Sequence, residues 1–402
     1  MNKEEREAPR SDRLDGLASW LGRDAGLPLP ELHGMFCEKL VERGFPLWRS
    51  SLGLELLHPE QSGVRLLWAA TGETRVTQAP QGVATTPDYL NSPVRIVDET
   101  EKPFRRRLTE PVADLPLLET LRLEGGTDYV IFPLRFLDTT RSAYLSFTTA
   151  DPRGFTKVDL QRLEDASRLI SPYAERRALR RMAIDLLDTY VGHSAGERIF
   201  KGQIRRGAVD TIEAAILMCD MRGFTALSNR AERQVVIELL DAWFERIEAA
   251  IEPHGGEILK FMGDGLLAIF RADPDRADAC RRGYAAALEA RASLRAGFGA
   301  ACLACGEAPI GFAMGLHVGE VAYGNVGGRH RLDFTVLGPA VNYASRLEGL
   351  AKRLDIPLLI SHEFAQNVPG GPVEIGVYPL RGISEAERIH AAPESSALYA
   401  ST

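Results

Sequence analysis

The sequence predicts an α/β (α+β) protein in two parts. A smaller α/β domain and a helical stretch precede a C-terminal half with the β-α-β-β-α-β order of a ferredoxin-like fold. Three observations lead there. Short apolar runs bounded by glycine, proline and aspartate mark strands in both halves. Segments with apolar residues three and four apart mark the helices between them. A chain of 402 residues, 45% hydrophobic and 26% charged, is an ordinary globular composition with length for about two or three domains.

Charge and hydropathy narrow the classes of function. A net charge of -7 and a pI near 5.7 argue against the broad basic footprint that nucleic acid demands. No apolar run approaches the roughly 18 residues that span a bilayer, and MNKEEREAPRSDR has no signal-peptide core. The expectation is a cytoplasmic protein without a membrane span. Five cysteines, Cys37, Cys219, Cys280, Cys302 and Cys305, are too few and too irregular for a disulfide framework. Cys302 and Cys305 form a C-x-x-C without a second pair, so packing in a loop is expected rather than zinc or redox chemistry.

The first half reads as follows. Residues 1–30 are a polar tail with at most one short helix, ending in Pro28 and Pro30. A domain over 31–155 begins with a helix from Leu32 to Val41. FPLWRSSLGLELLHP and VRLLWAATGET are strands around a turn at Glu60 to Gly63. The stretch Gln78 to Pro116 is variable, with the basic run Arg105 to Arg107, and TDYVIFPLRF and SAYLSFTTA restore two strands. Helix, hairpin, variable middle, hairpin, helix resembles a GAF-like or PAS-like sensor module in element order. Such a module takes a small-molecule or ion regulator, whose identity these residues do not give. Phe45, Trp48, Trp68 and Tyr144 are either pocket lining or plain core.

Residues 156–210 read as a helical signalling linker. Phe155 to Tyr190 carries an apolar seam of Leu163, Ala166, Ile170, Tyr173, Leu179, Met182 and Leu186, which Pro172 should kink or break. Packing on its own domain and a parallel dimer stalk both fit this seam. GHSAGERIFKGQIRRGAVDT, rich in glycine and basic residues and without an apolar period, reads as a linker.

A new domain spans 211–391, with residues 392–402 as a tail. Its pattern is strand (EAAILMC), helix (Glu232 to Ile251), strands (GEILKFM and GLLAIF), helix (Asp275 to Leu294), strands (GFAMGLHVG and RLDFTVL), helix (Pro339 to Leu350) and strand (PLLIS).

Asp220 follows the first strand, and Gly223, Phe224 and Thr225 then turn the chain so that amide groups can face phosphate. Asp264 stands between Gly263 and Gly265 at a hairpin tip. Two carboxylates at strand ends can share hard divalent cations such as Mg2+ or Mn2+, with a phosphate substrate completing the coordination. Each alone reads as a turn aspartate capping its own backbone, and only the combination points to a metal. Asn342 and Arg346, four residues apart on a helix, share one face and offer an amide and a planar cation to phosphate. The plain alternative pairs Arg346 with Glu348 or Asp355.

CDMRGFTALS, GGEILKFMGDGLLAIF, GLHVGEVAYGNVG and FTVLGPAVNYASRLE, in that order, resemble the catalytic domain of class III nucleotidyl cyclases. The resemblance covers about residues 211 to 390. It implies that Asp220, Asp264 and the Met221 carbonyl bind two metal ions, and that Asn342 and Arg346 stabilise the transition state. Lys260 and Thr335 fall at the purine-reading positions in the pattern of the bacterial threonine-type adenylyl subgroup. For that subgroup, activation by bicarbonate is a further expectation. Arg381 stands where the family commonly has a triphosphate-binding lysine, and one of Arg329, His330 and Arg331 is placed to meet the phosphates.

The implied function is conversion of ATP to 3',5'-cyclic AMP and pyrophosphate by attack of the ribose 3'-hydroxyl on the α-phosphorus, with no protein nucleophile and with His317 a strand residue. Metal aspartates from one subunit would meet Lys260, Thr335, Asn342 and Arg346 of the other. A head-to-tail homodimer is sufficient, since both half-sets are present in one sequence. The alternatives are a guanylate cyclase, which Lys260 disfavours, and a catalytically silent ligand-sensing dimerisation protein.

Overall fold

In the computed structural model, residues 12–23, 26–111, 115–137 and 142–393 are described. They form two units, Met1–Thr189 and Tyr190–Thr402. Residues 1–11 and 394–402, about a third of the expected N-terminal tail and most of the C-terminal one, lie outside the described residues.

In the first unit, α1 (Asp12–Arg23) and α2 (Leu29–Glu42) precede β1 (Arg49–Glu55), β2 (Gln61–Ala69) and β3 (Thr74–Pro80). Short helices α3 (Pro87–Leu90) and α4 (Pro93–Thr100) lead to β4 (Phe104–Arg107) and α5 (Pro116–Leu123). Then come β5 (Asp128–Pro133), β6 (Ala143–Thr149) and the long α6 (Lys157–Val191). The strands make an antiparallel sheet in the order β3-β2-β1-β6-β5-β4. Alternation along β5 fills both faces: Val130 and Phe132 join the core with α2 and α6, while Tyr129 and Ile131 pack with α4 and α5.

Four expectations change here. The N-terminal stretch is not a polar tail throughout, because α1 buries Leu17, Trp20 and Leu21 in the first core. The variable middle holds the end of β3, the short helices α3 and α4, and β4, which contains the basic run. Pro172 does not break α6. It removes one helical N–H bond, while buried Ile170 and Ala174 hold the flanking turns and Ser171 Oγ donates to the Arg135 carbonyl at 2.9 Å. The seam runs through Leu163, Ala166, Ile170, Ala174, Ala178 and Met182, and Leu179 is exposed. Phe45 and Trp68 are core, and Trp48 and Tyr144 pack on the second face of the sheet.

The second unit opens with α7 (His193–Phe200) and β7 (Val209–Met221), then α8 (Phe224–Arg230), α9 (Arg233–Ile251), β8 (Glu257–Met262), β9 (Gly265–Arg271) and α10 (Arg276–Ser293). It continues through α11 (Gly299–Ala304), β10 (Phe312–Gly327), β11 (Leu332–Leu337), α12 (Pro339–Leu354), β12 (Leu358–Ser361), α13 (His362–Ala365), β13 (Val373–Pro379) and β14 (Ala386–Ala391). The sheet order is β13-β14-β12-β10-β7-β9-β8, with β11 paired to β10. The stretch read as a linker without an apolar period contains α7, whose Ala195 is buried against Ile216 and Tyr323. Small residues facing the core carried too little apolar signal to mark that helix. Cys302 lies on α11 and Cys305 caps its C-terminal end, and all five cysteines are free.

Two features place the site. On β7, Ala215, Leu217, Cys219 and Met221 face α9 and α10, so Ala214, Ile216 and Asp220 face the opposite layer, which contains α12. Helix α12 lies unusually close on β10 because Gly315 and Gly319 carry no side chain. A Cβ on Gly315 would stand 2.5 Å from the Ala344 carbonyl oxygen, and one on Gly319 would stand 2.9 Å from Ala340 Cβ.

Candidate active site

Asp220 ends β7, and Asp264 occupies the two-residue turn between β8 and β9, where Gly263 has a left-handed φ of 70°. The pairing of Cys219 with Leu266 brings both carboxyl groups within hydrogen-bond reach. The indole Nε1 of buried Trp243, on α9, donates to the Asp264 carbonyl at 3.0 Å and fixes the turn. Burial, followed by the adjoining Asp220 carboxylate, raises the Asp264 carboxyl to about 7. Asp220 Oδ1 is buried without a hydrogen-bond partner. Two facing carboxylates with an open oxygen form an electrostatically incomplete site, which positive charge would balance.

Part of that charge comes from α12. Lys352 Nζ pairs with Asp220 Oδ2 and, at 3.0 Å, with Glu348 Oε1. Burial works against the ammonium, but these two carboxylates hold its pKa above the usual lysine value. The sequence reading missed Lys352; its signal was the Glu348–Lys352 spacing of four on a helix. That pairing also settles the alternative for Arg346, because Glu348 pairs with Lys352 and Asp355 pairs with Arg222.

Asn342 and Arg346 share one face of α12, as their spacing predicts, with Asn342 exposed and Arg346 half-buried. They are not at the Asp220 end of the helix. Ten residues separate Asn342 from Lys352, about 15 Å along the axis, and the Asn342–Arg346 face points roughly 100° away from Lys352. Arg346 lies instead against the turn after β13, where a Cβ on Gly382 would stand 3.4 Å from its Nη2. The exposed Arg381 adjoins that turn. One chain thus holds the aspartates and the Asn342–Arg346 pair in separate places.

Lys260 on β8 and Thr335 on β11 stand on strands that do not pair with each other, and a contact from Lys260 bridges them. Lys260 follows a bulge in β8, and its Nζ lies 2.5 Å from Asp333 Oδ2 on β11, two residues before the buried Thr335. Gly223 has a φ of 73° at the start of α8, so Phe224 and Thr225 open that helix directly after Asp220 and Met221. Arg329, His330 and Arg331 are exposed in the loop between β10 and β11. His317 is buried on β10, stacked on Tyr343 and bonded through Nδ1 to Ser361 Oγ at 2.8 Å, which makes it a strand residue. Among the described residues no group of three or more His, Cys, Asp or Glu side chains is placed to hold a metal ion. A metal at Asp220 and Asp264 would draw its other ligands from backbone, solvent or substrate.

Residues 208–366 match the family described as the adenylate and guanylate cyclase catalytic domain. The second unit contains a class III nucleotidyl cyclase domain. An adenylate cyclase of Anabaena cylindrica is 32% identical over 204 residues, covering 49% of this chain and 38% of that protein. Adenylate cyclase 1 of Rhizobium meliloti is 33% identical over 153 residues, covering 37% of this chain and 22% of that one. The chain therefore spans well under half the length of these relatives. The adenylyl cyclase CyaB structure from P. aeruginosa superimposes with a TM-score of 0.42 at 26% identity, over 46% of this chain and 95% of that one. The cyclase match begins one residue before β7, so it leaves out the first unit and α7.

Proposed function

We propose that the cyclase domain converts ATP to 3',5'-cyclic AMP and pyrophosphate at sites shared by two copies of the chain. The observation that carries this is the facing pair Asp220 and Asp264, with a buried open oxygen and a carboxyl raised to about 7. This donor set fits Mg2+ or Mn2+, held by the two carboxylates and the Met221 carbonyl, with ligand positions left for phosphate. Bound there, two such ions supply charge stabilisation and a more acidic ribose 3'-hydroxyl.

The chain's own groups do the rest. The amides of Gly223, Phe224 and Thr225 face the phosphates from the start of α8. Lys260 and Thr335 read the base. Asn342 orients the ribose, Arg346 stabilises charge developing on the transferring phosphoryl group, and Arg381, with one residue of the 329–331 loop, receives the triphosphate. Asn342 and Arg346 come from the second copy, because within one chain α12 turns them onto a different face from Lys352, the partner of Asp220, and sets them about two to three turns away along the helix. Exposed Ile237, Phe261, Met262, Leu332 and Leu337 on this unit support a covering partner of the same kind. The first unit is read as the regulatory module, GAF-like or PAS-like, taking an unidentified small molecule or ion. No helix among the described residues is long and apolar enough to cross a membrane, and a cytoplasmic location is part of this reading.

The test is product formation from ATP and GTP side by side, with Mg2+ or Mn2+ and then with chelator. Cyclic AMP as the dominant product, lost on chelation, is expected. Faster formation of cyclic GMP would overturn the adenylyl assignment. No cyclic nucleotide from either substrate would overturn the cyclase reading.

A further inference from the structure

We propose that Lys352 is a resident cation that competes with divalent metal for Asp220: its ammonium holds one oxygen of that carboxylate and withdraws onto Glu348 when the aspartate takes up metal, and so it sets how tightly the domain binds metal. The inference rests on the reading of Asp220 and Asp264 as metal ligands given above.

The contacts define the competition. Lys352 Nζ pairs with Asp220 Oδ2, which leaves only Oδ1, buried and without a partner, open to a ligand. A carboxylate that serves two ions offers an oxygen to each, and an ammonium on one of those oxygens sets like charge beside a dication. An ion pair built for folding alone would not leave the second oxygen of Asp220 buried and open. Asp220, Asp264 and Glu348 gather three carboxyl groups around this one ammonium, so the cluster remains short of positive charge.

Glu348 is where the lysine withdraws. It stands one helical turn earlier on α12, with Oε1 3.0 Å from Nζ and its side chain only 12% exposed. After leaving Asp220 the ammonium therefore keeps a counter-charge, and Glu348 keeps its own. The helix does not have to move for this. Arg222, two residues after Asp220, pairs with Asp355 and donates from Nη2 to the Ala351 carbonyl at 3.1 Å, which pins the last turn of α12 to the end of β7. The flexible four-carbon stem of the lysine supplies the motion.

The test uses the intact chain without nucleotide, as wild type, Lys352→Met, Lys352→Gln and Lys352→Arg. Mn2+ binding is followed by the paramagnetic resonance signal of the free ion, and melting temperature is measured with and without Mn2+. Lys352→Met should bind Mn2+ about tenfold more tightly than wild type. Lys352→Gln, which can still donate to Asp220 but carries no charge, should also bind more tightly, whereas Lys352→Arg should not. Without metal the two uncharged variants should melt below wild type, and Mn2+ should raise their melting temperatures by more than it raises that of wild type. A lysine that only supports the fold would lower the melting temperature equally with and without Mn2+ and leave the affinity unchanged. Unchanged or weaker Mn2+ binding in Lys352→Met and Lys352→Gln, beside a wild type that binds, overturns this inference alone. No Mn2+ binding by wild type or by any variant overturns the metal-ligand reading together with it.

Discussion

Asp128 in the first unit and Asp220 in the second are aspartates on central strands, and their surroundings are opposite. Asp128 is fully buried and saturated: Arg105 reaches its two oxygens at 3.2 and 2.6 Å, Arg107 reaches Oδ2 at 3.4 Å, and the Phe155 amide donates to Oδ2 at 2.9 Å. Asp220 has one oxygen paired with Lys352, the other without a partner, and a second carboxyl beside it. A charge whose needs the fold meets is a fastener between strands. A charge whose needs the fold leaves unmet is held for something that arrives later.

Exchanging each acid for its amide is the strongest way to break this contrast. Asp220→Asn and Asp264→Asn should lower cyclic AMP formation by at least about a thousandfold. Asp264→Asn should melt at or above the wild-type temperature, because it removes one of two facing carboxyls. Asp128→Asn should instead cost about 3–5 kcal/mol of stability, since two arginines lose their buried counter-charge. Calorimetry beside a turnover assay reads both effects. A destabilised Asp264→Asn, or an unaffected Asp128→Asn, would erase the distinction.

A smaller effect separates the units by pH. His33, fully buried with Nε2 3.0 Å from Ser50 Oγ, is pushed by burial from 6.5 down to about 3, and His317 is pushed to about 4. Both are neutral in the fold and take up protons more readily when unfolded. Their contribution is therefore complete above about pH 6.5 and is lost as the pH falls, over a wider range for His33. Between pH 7 and pH 5 the two losses are nearly equal, so urea unfolding at pH 5 and about pH 3.5 should show the first unit weakening more, and His33→Gln should flatten that dependence. An identical slope in the variant would remove His33 from the account.

The legible parts of the sequence were those where a side-chain pattern acts locally. β7, β9 and the core of β10 are continuous apolar runs, and α9 and α12 have helical spacing with clear ends, so the β-α-β-β-α-β order could be read directly. β3 and β13 were not, because both are largely exposed and carry mixed residues, and β13 contains Gly376 with a φ of 136°. Helix α7 was hidden by glycine and basic residues, with only Ala195 and Gly196 buried. The site divides the same way. Asp220, Asp264, Asn342 and Arg346 stand in ordered motifs. Lys352 and Trp243 gain their roles only when α12 and α9 close on the strand ends, a placement that no local spacing encodes.

The shared site is tested most directly by mixing Asp220→Ala chains with Asn342→Ala chains, each inactive alone, and measuring cyclic AMP formation. Random pairing makes half the dimers hybrid, and each hybrid has one lesion-free site. About one quarter of wild-type activity should therefore return. No recovery, with hybrid dimers shown to be present, would contradict a site assembled from two chains.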